Sequence, residues 1–266
     1  MSVFDCKNAD VLSPHRDCDH RINLKPGTAP PHGSLYNMSV NELQVLRKYL
    51  HDQLEKELNP DIKPPATVPV LFAKNLSGGL RFCVDYRGLN AITIKNRYSL
   101  PLMQETLSRL SKAKCYTKLD IISAFNHIRI AEGQDMMTAF NTRYGLFETL
   151  VMPFGLSNAP ATFQSHINEV IRPFLDIFCT YYIDDILTYS DDLTSDRTHV
   201  NVVLDALSKA KLHCDKKKFE FEVQEVTYLG KIISTTDVKT DPQKVQCIVN
   251  WTPPHCLKDV QGFLGF

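Results

Sequence analysis

The segment Tyr181-Tyr182-Ile183-Asp184-Asp185-Ile186-Leu187 limits what this chain can fold into more than any other. Ile177–Ile183 and Ile186–Ser190 are β-type runs, and they meet at two adjacent carboxylates, which puts the acids at or beside a hairpin turn. Two ionised groups flanked by Ile and Leu need charge compensation close to a low-dielectric core. A divalent cation would supply it. Successive strand side chains point to opposite faces, so both acids serve one site only if the turn re-aims one of them. Taken alone, the pattern is equally that of an ordinary turn, where Asp is common.

A second carboxylate in the same kind of setting, Lys118-Leu119-Asp120-Ile121-Ile122, shifts the balance. Three Asp converging on two magnesium ions ~3.5–4 Å apart would clamp the attacking and leaving oxygens of a phosphoryl transfer. Such chemistry also needs cations on a triphosphate. Val68–Ala73 and Gly79–Tyr86 read as a hairpin around Asn75-Leu76-Ser77-Gly78-Gly79, with Lys74 as a point charge and Arg81 as a bidentate fork. A solvated hairpin would carry the same residues.

Lys plus Arg and Asp plus Glu are both 30, so net charge by itself gives no support for nucleic-acid binding. The charges are segregated, however. Lys74 to Lys118 holds nine basic residues against Asp85 and Glu105, a local +7, whereas Asp176 to Asp205 holds seven Asp against Arg197, a local −6. Two solvated faces of opposite sign, or a polyanion track beside a cation site, would both produce this.

The 266 residues suffice for one large domain or two small ones, and 43% apolar residues exclude a disordered chain. The eight Cys are scattered without C-x-x-C or paired His, which reads as reduced thiols in an intracellular protein, cytoplasmic or nuclear. Neither a signal peptide nor an 18-residue apolar run is visible, so no membrane partner is expected.

Residues 1–38, rich in Pro, His, Asp and Asn, read as an extended leader. Ser39-Val40-Asn41-Glu42 is a capping-box pattern, and Leu43, Leu46, Leu50 and Leu54 predict a helix over 40–57. Further expected elements are a helix at Pro101–Ala113, a strand at Cys115–Ile121, a short helix near Ser123–Asn126, and strands at His127–Ile130 and Met137–Thr142. A helix opens at Pro160 and carries Phe163, Ile167, Val170, Ile171 and Phe174; another carries Val200, Leu204, Leu207 and Lys211. Glu220–Val223 and Thr227–Ile233 read as a strand pair, and Asp241-Pro242 caps a last helix through Val249. Mixed elements with hairpins argue an α+β fold.

Five ordered motifs carry a resemblance. They are Leu80-Arg81-Phe82-Cys83-Val84-Asp85-Tyr86-Arg87-Gly88-Leu89-Asn90, Lys118-Leu119-Asp120 through Phe125, Val151-Met152-Pro153-Phe154-Gly155-Leu156 with Ala159-Pro160-Ala161-Thr162-Phe163, Tyr182-Ile183-Asp184-Asp185, and Tyr228-Leu229-Gly230. In order and spacing the chain resembles the reverse transcriptase domain of gypsy-type LTR retrotransposons, close to the fungal members. The resemblance implies a right-hand polymerase fold with an antiparallel palm sheet packed on helices. It implies residues 39–114 mainly as fingers, 115–234 mainly as palm with the remaining fingers segment, and 235–266 as the start of a thumb.

The resemblance also implies roles, position by position. Asp120, Asp184 and Asp185 match the catalytic acids, which with the Ile121 carbonyl would hold two Mg²⁺ or Mn²⁺ ions. Lys74, Arg81, Ala124, Phe125 and Phe154 match nucleotide-contacting positions, Phe125 as an aromatic gate that would clash with a 2′-OH. Arg87, Gly155, Tyr182, Leu229 and Gly230 match positions facing the template and primer. The implied activity is RNA-directed DNA polymerisation, with an RNA or DNA template, a primer strand and dNTPs as partners; oligomeric state is left open.

The chain also departs from the family. Asn75 and Met137 stand where Lys is usual, Glu57–Ile62 replaces a Gly-Phe-Ile and Ser-rich stretch, and Thr236-Asp237 replaces a Gly-containing turn, which would need a different turn. The sequence stops within the expected thumb, where the family continues into a connection, RNase H and integrase, and no protease precedes it. Two rival readings follow: a retrotransposon-derived fragment that binds RNA or RNA–DNA duplex without polymerising it, and a structural or interaction domain whose Asp turn holds one stray cation or none.

Overall fold

The computed structural model describes residues 2–4, 12–54, 58–60, 66–74, 78–99, 102–183 and 185–265. Asp184 lies outside the described residues, as do the end of the first predicted helix at 55–57, the hairpin tip at 75–77, and Cys6.

The first half of the chain forms α1 (Val40–Leu54), β1 (Leu58–Pro60), β2 (Val68–Lys74), β3 (Leu80–Val84), α2 (Arg87–Ile92), α3 (Met103–Leu110) and β4 (Cys115–Asp120). The middle adds β5 (Phe140–Thr142), β6 (Gly145–Thr149), α4 (Ala159–Ile171), β7 (Cys179–Tyr182), β8 (Asp185–Ser190) and α5 (Leu193–Lys209). β9 (Glu220–Val223), β10 (Glu225–Tyr228), β11 (Lys231–Ser234), β12 (Val238–Thr240), α6 (Pro242–Val249) and α7 (Leu257–Leu264) complete it. One sheet runs β1-β6-β5-β2-β3, a second β7-β8-β4-β9, and a third β10-β11-β12. The second is antiparallel throughout, as expected. No helix among the described residues is long and apolar enough to cross a membrane.

Helix α1 starts as its capping box requires: the Ser39 N–H donates to Glu42 Oε2 at 2.7 Å and the Glu42 N–H to Ser39 Oγ at 3.3 Å. Leu46 and Leu50 turn inward from it. Helix α5 packs on β4, β8 and α4, burying Val200, Val203, Leu204 and Leu207; α4 contributes Phe163, Ile167 and Ile171, all fully buried. Asp120 ends β4 and Asp185 opens β8, so the two acids lie together at one end of the sheet. Residues 12–39 run extended along this body, touching it through single bridges His20↔Ile130, Leu24↔Thr93 and His32↔Thr67.

Several elements differ from expectation. His127–Ile130 is no strand: a 3-10 turn covers Ala124–His127, and Arg129 makes one bridge to Val151. Burial of Ile128 and Ile130 makes the segment resemble a strand, but its backbone is satisfied by isolated bonds, the Ile130 N–H to the Leu150 carbonyl and the Met152 N–H to the Ile128 carbonyl among them. The strand expected at Met137–Thr142 starts only at Phe140, because Thr138 Oγ1 closes a turn on the Asp135 carbonyl at 2.7 Å. The expected pair 220–223 with 227–233 dissolves: β9 joins β4, and the hairpin is β10–β11 around Leu229 (φ 54°) and Gly230 (φ 69°). Two successive positive φ values are the geometry of a tight hairpin turn. Helix α3 is shorter than predicted, and β1, α2, β6, β12 and α7 lie outside the expected elements.

The altered 234–238 turn is closed by a side chain instead of glycine. Ser234 Oγ accepts from the Thr236 and Asp237 N–H groups at 3.4 and 3.0 Å. The seven described Cys are free thiols, with Cys115, Cys179 and Cys214 buried. Helices α6 and α7 bury no residue.

Candidate active site

Antiparallel pairing places Asp120 directly opposite Asp185. The Asp120 carbonyl accepts from the Asp215 N–H at 3.0 Å, so its backbone bonds away from β8. The two Asp therefore form a non-hydrogen-bonded pair, in which Cα atoms stand only about 4.5 Å apart and side chains are closest. Like charges facing each other this way are destabilising. Two lysines answer that charge. Lys118, two residues before Asp120 and hence on the same face, brings Nζ to 3.3 Å from Asp185 Oδ1 and also donates to the Thr227 carbonyl at 3.3 Å. Lys218 Nζ donates to Asp120 Oδ1 at 3.0 Å, and this hydrogen bond raises the pKa of its ammonium.

The backbone around Ile121 is turned toward the same place. The Ile122 N–H donates to the His213 carbonyl at 2.8 Å, on the side opposite β8. By strand alternation the Ile121 carbonyl points to the β8 side, while its side chain is buried in the core. Ile183 adopts φ 54°, an outlier for a β-branched residue, and its N–H donates to Gln164 Oε1 at 3.3 Å. Gln164 is fully buried on α4, and its carbonyl accepts from the Tyr181 hydroxyl at 3.4 Å. A helix thus anchors Ile183, where β7 ends and the chain turns.

Facing carboxylates with a carbonyl turned to their side form an all-oxygen donor set, which fits a hard cation such as Mg²⁺ or Mn²⁺. Among the described residues no group of three His, Cys, Asp or Glu could hold a metal. The third acid of the expected set is Asp184.

A cavity of about 480 Å³ has Arg81, Phe154, Gly155 and Tyr49 in its lining. The Arg81 guanidinium carbon sits 4.9 Å from the Phe154 ring centre. Phe154 meets Phe125 edge-on at 4.8 Å, and Phe125 meets Phe163 at 5.7 Å. Phe154 is half exposed and Phe125 only 7% exposed, so Phe154 covers the would-be gate. Ser123 at φ 45° makes the kink after β4 that brings Phe125 there. The Ala124 methyl is buried, leaving only its backbone to offer. Lys74 does not line the cavity. The register pairs Lys74 with Leu80 and Arg81 with Ala73, which sends the two cations to opposite faces of the ribbon.

The remaining expected positions are spread over the fold. Arg87 is exposed and binds Asp85 through Nε at 2.8 Å and Nη2 at 2.7 Å, holding that carboxyl well below the usual carboxylate range. Gly155 has φ 102°, its carbonyl accepts from Asn90 Nδ2 at 2.7 Å, and a Cβ there would stand 3.4 Å from the Tyr86 ring. Tyr182 and Leu229 are brought onto one apolar cluster with Leu110, Tyr116 and Tyr228. Sequence reasoning missed Lys118 and Lys218 as partners of the acids, and Gln164 as the anchor of Ile183. Strand alternation could have pointed to Lys118, but nothing local links Lys218 to an acid 98 residues away.

Residues 72–233, more than half the chain, match the family described as reverse transcriptase (RNA-dependent DNA polymerase). The chain belongs to the reverse transcriptase family. This reverse transcriptase domain is 36% identical over 267 residues to the retrovirus-related Pol polyprotein from transposon 297 of Drosophila melanogaster, covering 98% of this chain and 25% of that polyprotein. It is 32% identical over 230 residues to the transposon Tf2-3 polyprotein of Schizosaccharomyces pombe, covering 86% of this chain and 17% of that one. It therefore spans a quarter or less of these relatives, in the manner of a reverse transcriptase domain within an LTR-retrotransposon Pol polyprotein. Its fold matches the foamy viral protease-reverse transcriptase solved in complex with RNA/DNA hybrid, with a TM-score of 0.79, 21% identity, and coverage of 97% of this chain and 36% of that one. The right-hand polymerase fold expected from the motifs is thereby the fold observed.

Proposed function

We propose that this reverse transcriptase domain, of the gypsy type and close to the fungal members, adds dNMP units to a primer 3′-OH on an RNA or DNA template. The observation that supports this most directly is the facing pair Asp120–Asp185, set by the register of β4 and β8. Asp120, Asp184, Asp185 and the Ile121 carbonyl would hold two Mg²⁺ or Mn²⁺ ions, which when bound activate the primer hydroxyl and neutralise the departing pyrophosphate. Arg81 serves the triphosphate as a bidentate fork, with Lys74 on the other face of the same ribbon and the Ala124 backbone below. Phe125 sets the floor under the sugar and excludes a 2′-OH, while Phe154 packs on the incoming base pair. Arg87 and Gly155 face the template, and Tyr182 with Leu229 and Gly230 holds the primer end.

Residues 39–114 then act mainly as fingers, 115–234 mainly as palm with the remaining fingers segment and 235–266 as the start of a thumb, with 1–38 as a leader. The domain works inside the cell, on a duplex lying along the basic 74–118 stretch, as the hybrid bound by the foamy viral enzyme suggests. The exposed, core-free α6 and α7 favour a second reading, in which the duplex is bound but poorly retained and little is synthesised. Primer extension on an RNA template, comparing the native chain with Asp185→Asn across a salt series, separates them. Extension lost in the variant supports the polymerase; absent extension with equal, salt-sensitive duplex binding by both supports the duplex binder.

A further inference from the structure

We propose that Lys118 and Lys218 are built-in counter-ions of the acid pair, which give way to the divalent cations and so set how tightly those cations are held. The inference rests on the metal-binding reading of Asp120 and Asp185 above. Its starting point is electrostatic. Two carboxylates about 4.5 Å apart at the Cα level repel each other, and the fold keeps them paired by placing one ammonium on each. A cation that takes the same oxygens must displace the ammonium or share them with it. The apparent affinity is therefore reduced by whatever fraction of the protein has its lysines seated.

The two lysines are not equivalent. Lys218 rises from the 3-10 turn Lys216–Lys218, where the Asp215 carboxylate accepts from the Lys217 N–H at 2.9 Å. Its side chain is 61% exposed, so on leaving Asp120 it returns to water. Lys118 is 19% exposed and already donates to the Thr227 carbonyl of β10. On leaving Asp185 it has that carbonyl to hold. Occupancy of the acid site is thus linked, through one ammonium, to the β10–β11 hairpin that carries Leu229 and Gly230. Lys218 acts as a releasable counter-ion, and Lys118 as a positioning residue that moves its charge from β8 toward β10.

The test titrates Mn²⁺ into the whole chain without nucleotide or nucleic acid, reading free Mn²⁺ by electron paramagnetic resonance and melting temperature with EDTA or Mn²⁺. Lys218→Met and Lys118→Met should each tighten Mn²⁺ binding by about fivefold or more, the lower range of a typical coupling between two ligands. Each should also enlarge the rise in melting temperature that Mn²⁺ produces. Lys218→Arg, which keeps the charge, should restore native affinity. Unchanged or weaker Mn²⁺ binding in both methionine variants overturns the inference, because lysines that merely support the acids would loosen the site when removed. Lys218 is exposed, so its variants report even if Lys118→Met fails to fold. Asp120→Asn and Asp185→Asn separate the two levels of the argument: Mn²⁺ binding indifferent to both, or absent from the native chain, sinks the metal reading itself and this inference with it.

Discussion

The two charged hairpins differ in how their charged side chains are held. β7–β8 ends a four-stranded sheet with β7 as the edge strand, its turn pinned by Gln164 and its acid set opposite Asp120 by register. β2–β3 sits at the end of the five-stranded sheet with β3 as the edge strand, and its Arg81 rests on an aromatic face. Carboxylates that must share cations need sub-ångström placement, which the register and the Gln164 anchor supply. A cation that must meet an arriving triphosphate gains from a support it can leave. A rigid acid hairpin therefore stands against an adaptable basic one, and substitutions in each should fail differently.

The largest effect is expected in the acid hairpin. If Asp185 holds metal as proposed, Asp185→Asn removes a charge worth several kcal/mol, so primer extension should fall by about 10³-fold or more with the far-UV signal and melting curve nearly unchanged. Extension within tenfold of native would break the assignment. Phe163→Ala attacks the support beneath: a fully buried ring on α4 that touches Phe125 should cost about 3–5 kcal/mol in urea unfolding.

Acid should act on the same frame. Burial holds His20, His127 and His166 neutral in the folded state, with pKa values lowered to about 4 against an ordinary 6.5. Between those values the unfolded chain binds more protons than the folded one, so stability is full above pH 6.5 and is lost as pH falls toward 4. The loss approaches about 3 kcal/mol per imidazole at about pH 4. Urea midpoints measured from about pH 7.5 to about 4.5 should fall steadily once the ordinary imidazole range is entered; a flat profile would contradict the burial of these rings.

The basic hairpin should respond in function and not in stability. Arg81→Lys keeps the charge but loses the fork and the stacking, and should raise the KM for dNTP about tenfold with the melting temperature unchanged. A lowered melting temperature with native KM would show that Arg81 serves the fold. The smallest effect lies in the frame away from both hairpins. Lys211 follows α5 at φ 57°, with the Leu212 N–H donating to the Leu207 carbonyl at 2.9 Å, so Lys211→Gly should stabilise by about 0.5–1 kcal/mol without changing turnover.

Much of this frame was legible because its signals are local. The capping box at Ser39–Glu42, the helix opening at Pro160 and the two apolar runs meeting at Asp184-Asp185 each depend on neighbours within a turn or a strand. The errors came where burial came from distant partners. Ile128 and Ile130 look like a strand because they are buried, yet they bury against elements that give them no ladder. Glu220–Val223 looks like half of the next hairpin, but β4 has a free edge that pairs with it first. The departure at Thr236-Asp237 was visible as a change, but its solution through Ser234 was not.

The order of the motifs determined the family and the fold class, because patterning and turn chemistry are written residue by residue along the chain. The tertiary structure alone decided that Asp120 faces Asp185, that Lys218 reaches the first and Lys118 the second, and that Lys74 and Arg81 part company across a ribbon. Those relations depend on register and on elements that meet from far apart in sequence, and a one-residue change of register would turn each side chain to the other face.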